Sequence, residues 1–263
     1  MSVASPLRAE RLVAGYGSQR PILDGVELSV LAGELTVIVG PNACGKSTLL
    51  RALARVLPCR AGRVLLDGTD IRAQATKAVA RRVGMLPQSS QAPEEILVAD
   101  LVARGRYPHQ GMLRQWSRED EAATRRAMED AGVSELADRR VGQLSGGQRQ
   151  RVWIAMALAQ ETDLLLLDEP TTYLDLAHQL EVLELARGLR AQGRTVVAVL
   201  HDLHLAFRYA THLVVMRGGA VVAQGEPRRV VTPELIKEVY GVECTLIPDP
   251  QTGTPIVIPT ERS

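Results

Sequence analysis

The sequence lacks an excess of either charge, and this limits the partners that it can attract. Its 263 residues carry 31 basic and 30 acidic side chains, for a formal net charge of +1. Chains that bind nucleic acid or adhere to an anionic membrane surface ordinarily carry a marked basic excess. We therefore expect no nucleic-acid partner.

Cysteine is scarce as well. The three cysteines, Cys44, Cys59 and Cys244, are odd in number, widely spaced and not arranged as a C-x-x-C pair. This pattern indicates neither a disulfide framework nor a zinc site. A reducing cytoplasm is the compartment that fits best.

Long apolar runs are also missing. No stretch approaches the ~18 apolar residues that a bilayer-spanning helix needs, and residues 1–17 mix charges early, without the apolar segment of a secretory signal. If the protein serves a membrane, we expect it to act through a partner. No internal repeat is evident, so we do not expect a duplicated domain.

What the sequence does contain is an alternation of short aliphatic runs and helix-like segments. The runs that predict buried strands are 35–40, 63–68, 83–88, 164–169, 195–202 and 212–219. Helix-like segments such as 47–57 and 176–192 lie between several of these runs. This order predicts an α/β fold with a mainly parallel sheet.

Residues 89–163 have a different composition and predict a helical insertion. The stretch lacks strand-like runs, and its segment "SREDEAATRRAMEDAG" opens with Ser117 and has Glu119 and Asp120 in the first turn, the pattern of a capped helix. The tail, residues 241–263, has two short β-like pieces, too little to fold alone. We expect the tail to pack on the core.

Residues 40–47, "GPNACGKS", match the pattern G-x-x-x-x-G-K-[ST] directly after a predicted strand and before a predicted helix. In this pattern backbone N–H groups cradle phosphate, Lys46 neutralises the β- and γ-phosphates, and the Ser47 hydroxyl ligates Mg²⁺. ATP and Mg²⁺ are therefore the expected cofactors. The residues of this loop expected to bind nucleotide are Gly40, Pro41, Asn42, Ala43, Cys44, Gly45, Lys46, Ser47 and Thr48.

Two residues near the loop carry further expectations. Cys44 fits mainly as a small residue, but a helix N-terminus lowers the pKa of a thiol, so we expect that alkylation of Cys44 blocks nucleotide binding. Tyr16, in the upstream turn "VAGYG", offers a ring that can stack on adenine. A packing role for Tyr16 in this glycine-bracketed turn is the alternative.

The predicted strand in "LLLLDEP" (164–170) ends in two acids, where α/β sheets bind ligands. Asp168 suits Mg²⁺ binding, and Glu169 can orient or deprotonate the water that attacks the γ-phosphate. His201 ends the predicted strand 195–202 in the same way, and its imidazole can hydrogen-bond the γ-phosphate.

A second glycine pair occurs in "QLSGGQRQR" (143–151). A Ser–Gly–Gly run before a helix makes another cradle for an anion. Unlike residues 40–47, this run has no lysine.

Taken together, these motifs resemble the nucleotide-binding subunit of an ATP-binding cassette (ABC) transporter. "LSGGQRQR" is similar to the signature sequence of that family, and it occurs with "GPNACGKST", "LLLLDEP", Gln88, Asp175 and His201 in the family's order over nearly the whole chain. The resemblance implies a P-loop NTPase (RecA-like) ABC ATPase core with an antiparallel β subdomain, over residues 1–88 and 164–240. It also makes residues 89–163 an inserted helical subdomain.

The resemblance further implies a head-to-tail dimer of two copies. Ser145, Gly146 and Gly147 of one copy would close over the γ-phosphate held by the other, which gives two ATP sites in an isologous pair. Gln148 and Asp175 join the expected nucleotide-binding residues. Glu169, His201 and Gln88 are the expected catalytic residues. Gln88 is also the expected coupling residue, because it would contact Mg²⁺ or the attacking water and would lie at the hinge to the helical subdomain.

The implied partners are an integral membrane permease and, indirectly, a substrate-binding protein, with the chain at the cytoplasmic face of the membrane. Residues 101–111 and 171–185 carry a narrower resemblance, to import ATPases for ferric siderophores and to related ATPases for haem and vitamin B12. Many other transporter ATPases have a small residue in place of Tyr173. A soluble ABC ATPase that acts as an assembly factor, for example in iron–sulfur cluster assembly, is the alternative.

Ala43 departs from the family's commoner phosphate loop, which has glycine at this position. If the backbone there needs a positive φ, alanine costs about 1 kcal/mol or more relative to glycine. We do not expect a loss of activity.

Overall fold

The structure is a computed structural model and describes residues 5–17, 20–88, 91–111, 116–172 and 174–260. Tyr173 lies outside the described residues. The chain divides into two compact units. The first comprises Met1–Ala73 and Arg190–Ser263, and the second comprises Gln74–Leu189.

The strands, in chain order, are β1 Leu7–Ala14, β2 Leu23–Val30, β3 Leu35–Val39, β4 Cys59–Leu66, β5 Thr69–Asp70, β6 Val83–Leu86, β7 Leu164–Asp168, β8 Thr195–Val199, β9 His212–Arg217, β10 Ala220–Gly225, β11 Cys244–Pro248 and β12 Pro255–Pro259. The α-helices are α1 Lys46–Leu53, α2 Thr76–Ala80, α3 Val98–Ala103, α4 Arg118–Asp130, α5 Gly146–Leu158, α6 Leu176–Ala191, α7 Leu203–Tyr209, α8 Pro227–Val230 and α9 Pro233–Tyr240. Short 3₁₀ helices occupy Arg104–His109, Ser134–Leu136 and Val141–Gln143.

The first unit contains both kinds of strand pairing. Strands in the order β2-β1-β4-β5 form an antiparallel sheet, and a second group has the order β10-β9-β3-β8. In that second group β3 is parallel to β8 and to β9, and β10 is antiparallel to β9. Every residue of β3 and β8 is buried, which explains why aliphatic residues dominate these strands, with only Thr36 and Thr195 as polar members. The expected α/β fold with an antiparallel β subdomain is confirmed.

The tail packs within the first unit, as expected. Strands β11 and β12 form an antiparallel hairpin, and β12 contacts α7. The Arg208 guanidinium of α7 lies 3.0 Å from the buried carboxylate of Asp249 in the hairpin turn. This ion pair and the β12 contact hold a segment that is too short to bury its own core.

The second unit contains the parallel pair β6 and β7 and the mutually packed helices α3, α4 and α5. Ser117 caps α4 as predicted: its Oγ accepts a hydrogen bond from the Asp120 N–H at 3.2 Å, and Asp120 Oδ2 accepts from the Ser117 N–H at 3.1 Å. Buried Arg106 forms an ion pair of 3.0 Å with buried Asp120. The predicted helical subdomain, residues 89–163, lies in this unit, and its limits stay a prediction.

Candidate functional site

The phosphate loop, residues 40–45, connects β3 to α1 in the first unit, and its backbone explains its glycines. Gly40 has φ 152° and Gly45 has φ 106°, values that favour glycine. A Cβ on Gly40 would overlap the Met216 carbonyl oxygen, and one on Gly45 would lie 2.8 Å from Leu23 Cδ2. Both positions therefore exclude larger residues on conformational and steric grounds.

Ala43 has φ 60°, so the departure from the commoner glycine falls at a position that does take the left-handed conformation. An L-residue pays roughly 1 kcal/mol there relative to glycine. The loop holds this conformation despite the strain, which agrees with the expected tolerance of a methyl group.

Lys46 begins α1, and its side chain folds back over the loop. The Nζ atom donates hydrogen bonds to the carbonyl oxygens of Gly40 at 2.8 Å and Pro41 at 2.9 Å, and the residue is only 4% exposed. An ammonium group has three N–H donors, and these bonds use two of them. Ser47 and Thr48 follow in the first turn of α1.

The Cys44 thiol does not behave as expected. The residue is buried, and burial raises the pKa of its thiol although the positive charge of Lys46 acts to lower it. The expectation of a lowered pKa was wrong, because desolvation of the thiolate outweighs the favourable field at the helix N-terminus. The structure supports the simpler role of a small packing residue, whose carbonyl oxygen accepts a hydrogen bond of 3.0 Å from the Gly219 N–H.

Tyr16 presents an exposed ring in the first unit, with 41% of its surface accessible. Its hydroxyl accepts a hydrogen bond of 3.0 Å from Arg51 Nη1 in the last turn of α1. Arg60 Nη2 donates to the carbonyl oxygens of Tyr16 at 3.1 Å and Gly17 at 2.7 Å. The ring is therefore held beside the helix that the phosphate loop precedes.

His201 lies at the same edge of the sheet as the phosphate loop. Ile38 of β3 is opposite Val199 of β8 in a parallel register, so the ends of both strands open onto one edge. His201 follows β8 there and is exposed.

In the second unit, Gln88 and Glu169 come together. Gln88 follows β6 and Glu169 follows β7, and these strands are parallel neighbours with Leu86 opposite Leu167. Gln88 Nε2 donates a hydrogen bond of 2.6 Å to Glu169 Oε2, and Thr172 Oγ1 donates to the same oxygen at 3.2 Å. Thr172 was not predicted from the sequence. The feature that could have indicated it is a hydroxyl group three residues after Glu169.

Glu169 itself has φ 54°, a left-handed conformation that is unusual for a residue with a side chain. Asp168, directly before it, ends β7 and is fully buried. The backbone changes direction between the two residues. Asp168 therefore lies in the protein interior, and Glu169 lies just after the end of the strand.

The second cradle, residues 145–148, begins α5, and we refer to it as the signature loop. The Ser145 Oγ accepts a hydrogen bond of 3.2 Å from the Gln148 N–H, and Gln148 Oε1 accepts one of 3.1 Å from the Ser145 N–H. This capping box uses Ser145 as an acceptor and leaves its O–H as a donor. Gly146 is exposed and Gly147 is buried.

Asp175 is exposed, and its carboxylate contacts His178 of the same chain. Oδ1 accepts a hydrogen bond of 3.0 Å from the His178 N–H and lies 2.6 Å from His178 Nδ1. The pKa of Asp175 is lowered by these two hydrogen bonds, the one from the backbone being the stronger cause. No role was predicted for His178 from the sequence. The feature that could have indicated it is its position in α6, three residues after Asp175.

The chain matches the ABC transporter family model over residues 23–172. It is 52% identical to the ferric enterobactin transport ATP-binding protein of Escherichia coli, over 98% of this chain and 95% of that one. It is 50% identical to the achromobactin transport ATP-binding protein of Dickeya dadantii, over 97% and 95% of the two chains. It is 44% identical to the iron(3+)-hydroxamate import ATP-binding protein of Bacillus subtilis, over 96% and 94%.

Solved structures agree with these relatives. An inward-facing transporter described as of the metal-chelate type matches with a TM-score of 0.82 and 28% identity, over 98% of both chains. A dimeric ATP-binding cassette in a post-hydrolysis state, bound to ADP and phosphate, matches with a TM-score of 0.74 and 25% identity, over 84% of this chain and 98% of that one. The chain therefore belongs to the ABC transporter family, as one of its ATP-binding, ATP-hydrolysing proteins.

Proposed function

We propose that this chain powers the import of ferric siderophores by binding and hydrolysing ATP in a head-to-tail dimer. The observation that carries the catalytic part is the hydrogen bond from Gln88 to Glu169, because it joins a candidate coupling residue to the candidate base. The cargo rests on the relatives named for ferric enterobactin, achromobactin and iron(3+)-hydroxamate.

In this proposal the phosphate loop binds the triphosphate. The backbone from Gly40 to Gly45 curls around the bound phosphates, and Lys46 supplies the charge that neutralises them. The hydrogen bonds from Lys46 to the carbonyl oxygens of Gly40 and Pro41 support this role, because they hold the ammonium group over the loop before any ligand binds. The exposed ring of Tyr16 stacks on the adenine.

The Mg²⁺ ligands that we propose are Ser47, Asp168 and Gln88. They offer a hydroxyl, a carboxylate and an amide oxygen, and Mg²⁺ prefers such hard oxygen ligands. Because Gln88 uses its amide nitrogen toward Glu169, its amide oxygen is left as the ligand atom. Bound Mg²⁺ neutralises charge on the β- and γ-phosphates.

We assign hydrolysis to three residues, Glu169, Gln88 and His201. Glu169 orients or deprotonates the attacking water, Gln88 holds the Glu169 carboxylate, and His201 contacts the γ-phosphate. The Thr172 hydrogen bond supports the same role, because two donors on one oxygen fix the carboxylate and direct its other oxygen elsewhere.

The signature loop completes the site of a second copy in this proposal. Ser145, Gly146 and Gly147 close over the γ-phosphate bound by the partner, and Gln148 and Asp175 lie at the same junction. The Ser145 O–H donor and the open space at Gly146 support a phosphate contact on this face.

Energy passes from ATP to a membrane permease, and a substrate-binding protein delivers the cargo to that permease. None of the described helices has the length and apolar character that a bilayer span requires. We place the chain at the cytoplasmic face, bound to the permease. The relatives named above are all transport or import proteins, which does not favour the alternative of a soluble assembly factor.

The experiment is ATP hydrolysis and uptake in proteoliposomes that contain the chain and the permease encoded nearest to it. Ferric siderophores, haem and cobalamin are each supplied on their binding proteins. Stimulation by a ferric siderophore alone supports the proposal. Stimulation by haem or cobalamin alone overturns the cargo, and failure to co-purify with any polytopic membrane protein overturns the transport role.

A further inference from the structure

The two glycines of the signature loop are surrounded differently. A Cβ added to Gly146 would meet no atom within 4 Å, whereas one added to Gly147 would lie 2.7 Å from Cδ2, 2.9 Å from Cγ and 3.1 Å from Nε2 of His178. Gly147 is therefore covered by the His178 ring, while Gly146 is open. The two glycines therefore differ: Gly146 faces open space, and Gly147 leaves room for the imidazole.

Asp175 fixes the orientation of that imidazole. Its carboxylate can only accept hydrogen bonds, so the 2.6 Å contact assigns the proton to His178 Nδ1. The same Oδ1 atom accepts the His178 backbone N–H at 3.0 Å. Because main chain and ring of His178 are bonded to one oxygen, the ring has little freedom to turn away from Gly147.

We propose that His178 is a positioning residue that sets the place of the signature loop. The contact runs from Asp175 through the His178 ring to Gly147, whose lack of a side chain allows the ring to lie against its backbone. Catalytic contacts lose effect when they are displaced by about 1 Å, so a fixed loop matters for phosphate binding. This inference rests on the proposed function, in which the loop closes over the partner's nucleotide.

A purely structural role is the competing explanation, since His178 also helps α6 to pack on α5. The chain provides a matched control for it. Arg151 of α5 and Glu181 of α6 form an ion pair of 3.4 Å between the same two helices, farther along both helices from the signature loop. Glu181→Ala removes an α5–α6 contact and leaves Gly147 and Asp175 untouched.

The test uses the full chain with His178→Ala, His178→Asn and Glu181→Ala. For His178→Ala we expect the ATP concentration for half-maximal hydrolysis to rise by about fivefold or more, the scale of a modest coupling energy. Affinity of the monomer for a fluorescent ATP analogue, measured at low protein concentration, should stay within about twofold, which is under 0.5 kcal/mol. His178→Asn keeps a planar group with an N–H in place of Nδ1 and should restore hydrolysis.

A steric pair adds an independent readout. Gly147→Ala alone pushes against the ring and should impair hydrolysis, and Gly147→Ala with His178→Ala should be no worse than His178→Ala alone, because directly contacting residues are not additive. The proposal is overturned if the two substitutions are additive, if His178→Ala leaves the half-maximal ATP concentration unchanged, or if Glu181→Ala has the same effect. Ser145→Arg distinguishes failure of the shared-site proposal from failure of the His178 proposal. If Ser145→Arg hydrolyses ATP normally, the shared-site proposal is wrong, whatever the result for His178.

Discussion

Gln88 Nε2 and Glu169 Oε2 are 2.6 Å apart, although 81 positions separate the two residues in the chain. The hydrogen bond exists because β6 and β7 are parallel neighbours that end together. It places a carboxamide against the carboxylate that we assign to water activation.

Glu169→Gln should abolish hydrolysis while ATP still binds. The substitution keeps the size of the side chain but removes the base, and loss of general-base catalysis lowers rates by about 10² to 10⁴-fold. Phosphate release and binding of a fluorescent ATP analogue measure the two properties. Thr172→Val, which removes only the 3.2 Å hydrogen bond, is the milder comparison. Normal turnover by Glu169→Gln would contradict the assignment.

Ser145→Arg should spare ATP binding by the monomer and abolish ATP-dependent dimer formation and hydrolysis. Each chain binds ATP with its own phosphate loop, whereas the bulky cation blocks the partner's site. Size-exclusion chromatography with ATP measures the dimer. Ser117→Ala controls for the loss of a helix cap, since Ser117 caps α4 as Ser145 caps α5; each loss costs about 1 kcal/mol. A dimer that forms normally would rule out the shared site.

Ala43→Gly should stabilise the protein by up to about 1 kcal/mol or leave it unchanged. Glycine relieves the left-handed strain at φ 60° but also gains freedom in the unfolded chain. Urea unfolding measures the difference. Ala122→Gly inside α4 is the control and should destabilise by about 0.5–1 kcal/mol. Equal destabilisation by both substitutions would show that the loop is not strained at Ala43.

Alkylation of Cys44 by iodoacetamide should be slower than alkylation of glutathione at pH 7.5. A raised pKa leaves less thiolate at this pH, and burial limits access. Mass spectrometry of the labelled peptide measures the rate, which should increase as the pH rises. Cys44→Ala should keep its ATP affinity within about twofold. Labelling faster than glutathione would mean that the helix N-terminus prevails over burial.

Asp120→Asn should destabilise the protein by about 3 kcal/mol at pH 7, because it leaves the buried Arg106 guanidinium with a weakened partner. Burial acts to raise the pKa of Asp120, but the hydrogen bonds from Arg106 and Ser117 outweigh it and the pKa is lowered. A lowered pKa contributes stability above the unfolded value, about 3.9, that is lost as the pH falls through the folded value.

The difference in unfolding free energy between the wild type and Asp120→Asn should therefore be constant from pH 7 to about 5 and shrink below about pH 4. Urea unfolding at several pH values measures it. Asp70→Asn is the control. It should change stability little, because Asp70 is only partly buried and its ion pair with Arg72 lies at the surface. A difference that grows in acid would contradict the ion pair.

The phosphate loop, mostly aliphatic strands such as β3 and the capped helix at Ser117 were predictable from the sequence. These features are local. A strand buried on both faces is mostly apolar, as β3 is, and a cap needs only neighbours such as Ser117 and Asp120. The order of the motifs also indicated the family that the relatives confirm.

The environment of individual residues, in contrast, depends on how the chain folds. The Cys44 pKa is raised because the fold buries the thiol, which no helix position could reveal. Gly146 and Gly147 look alike in "LSGGQRQR", yet His178, brought in by α6, covers only Gly147. Burial and close approach depend on partners that are distant in the chain, so these differences arise only when the chain has folded.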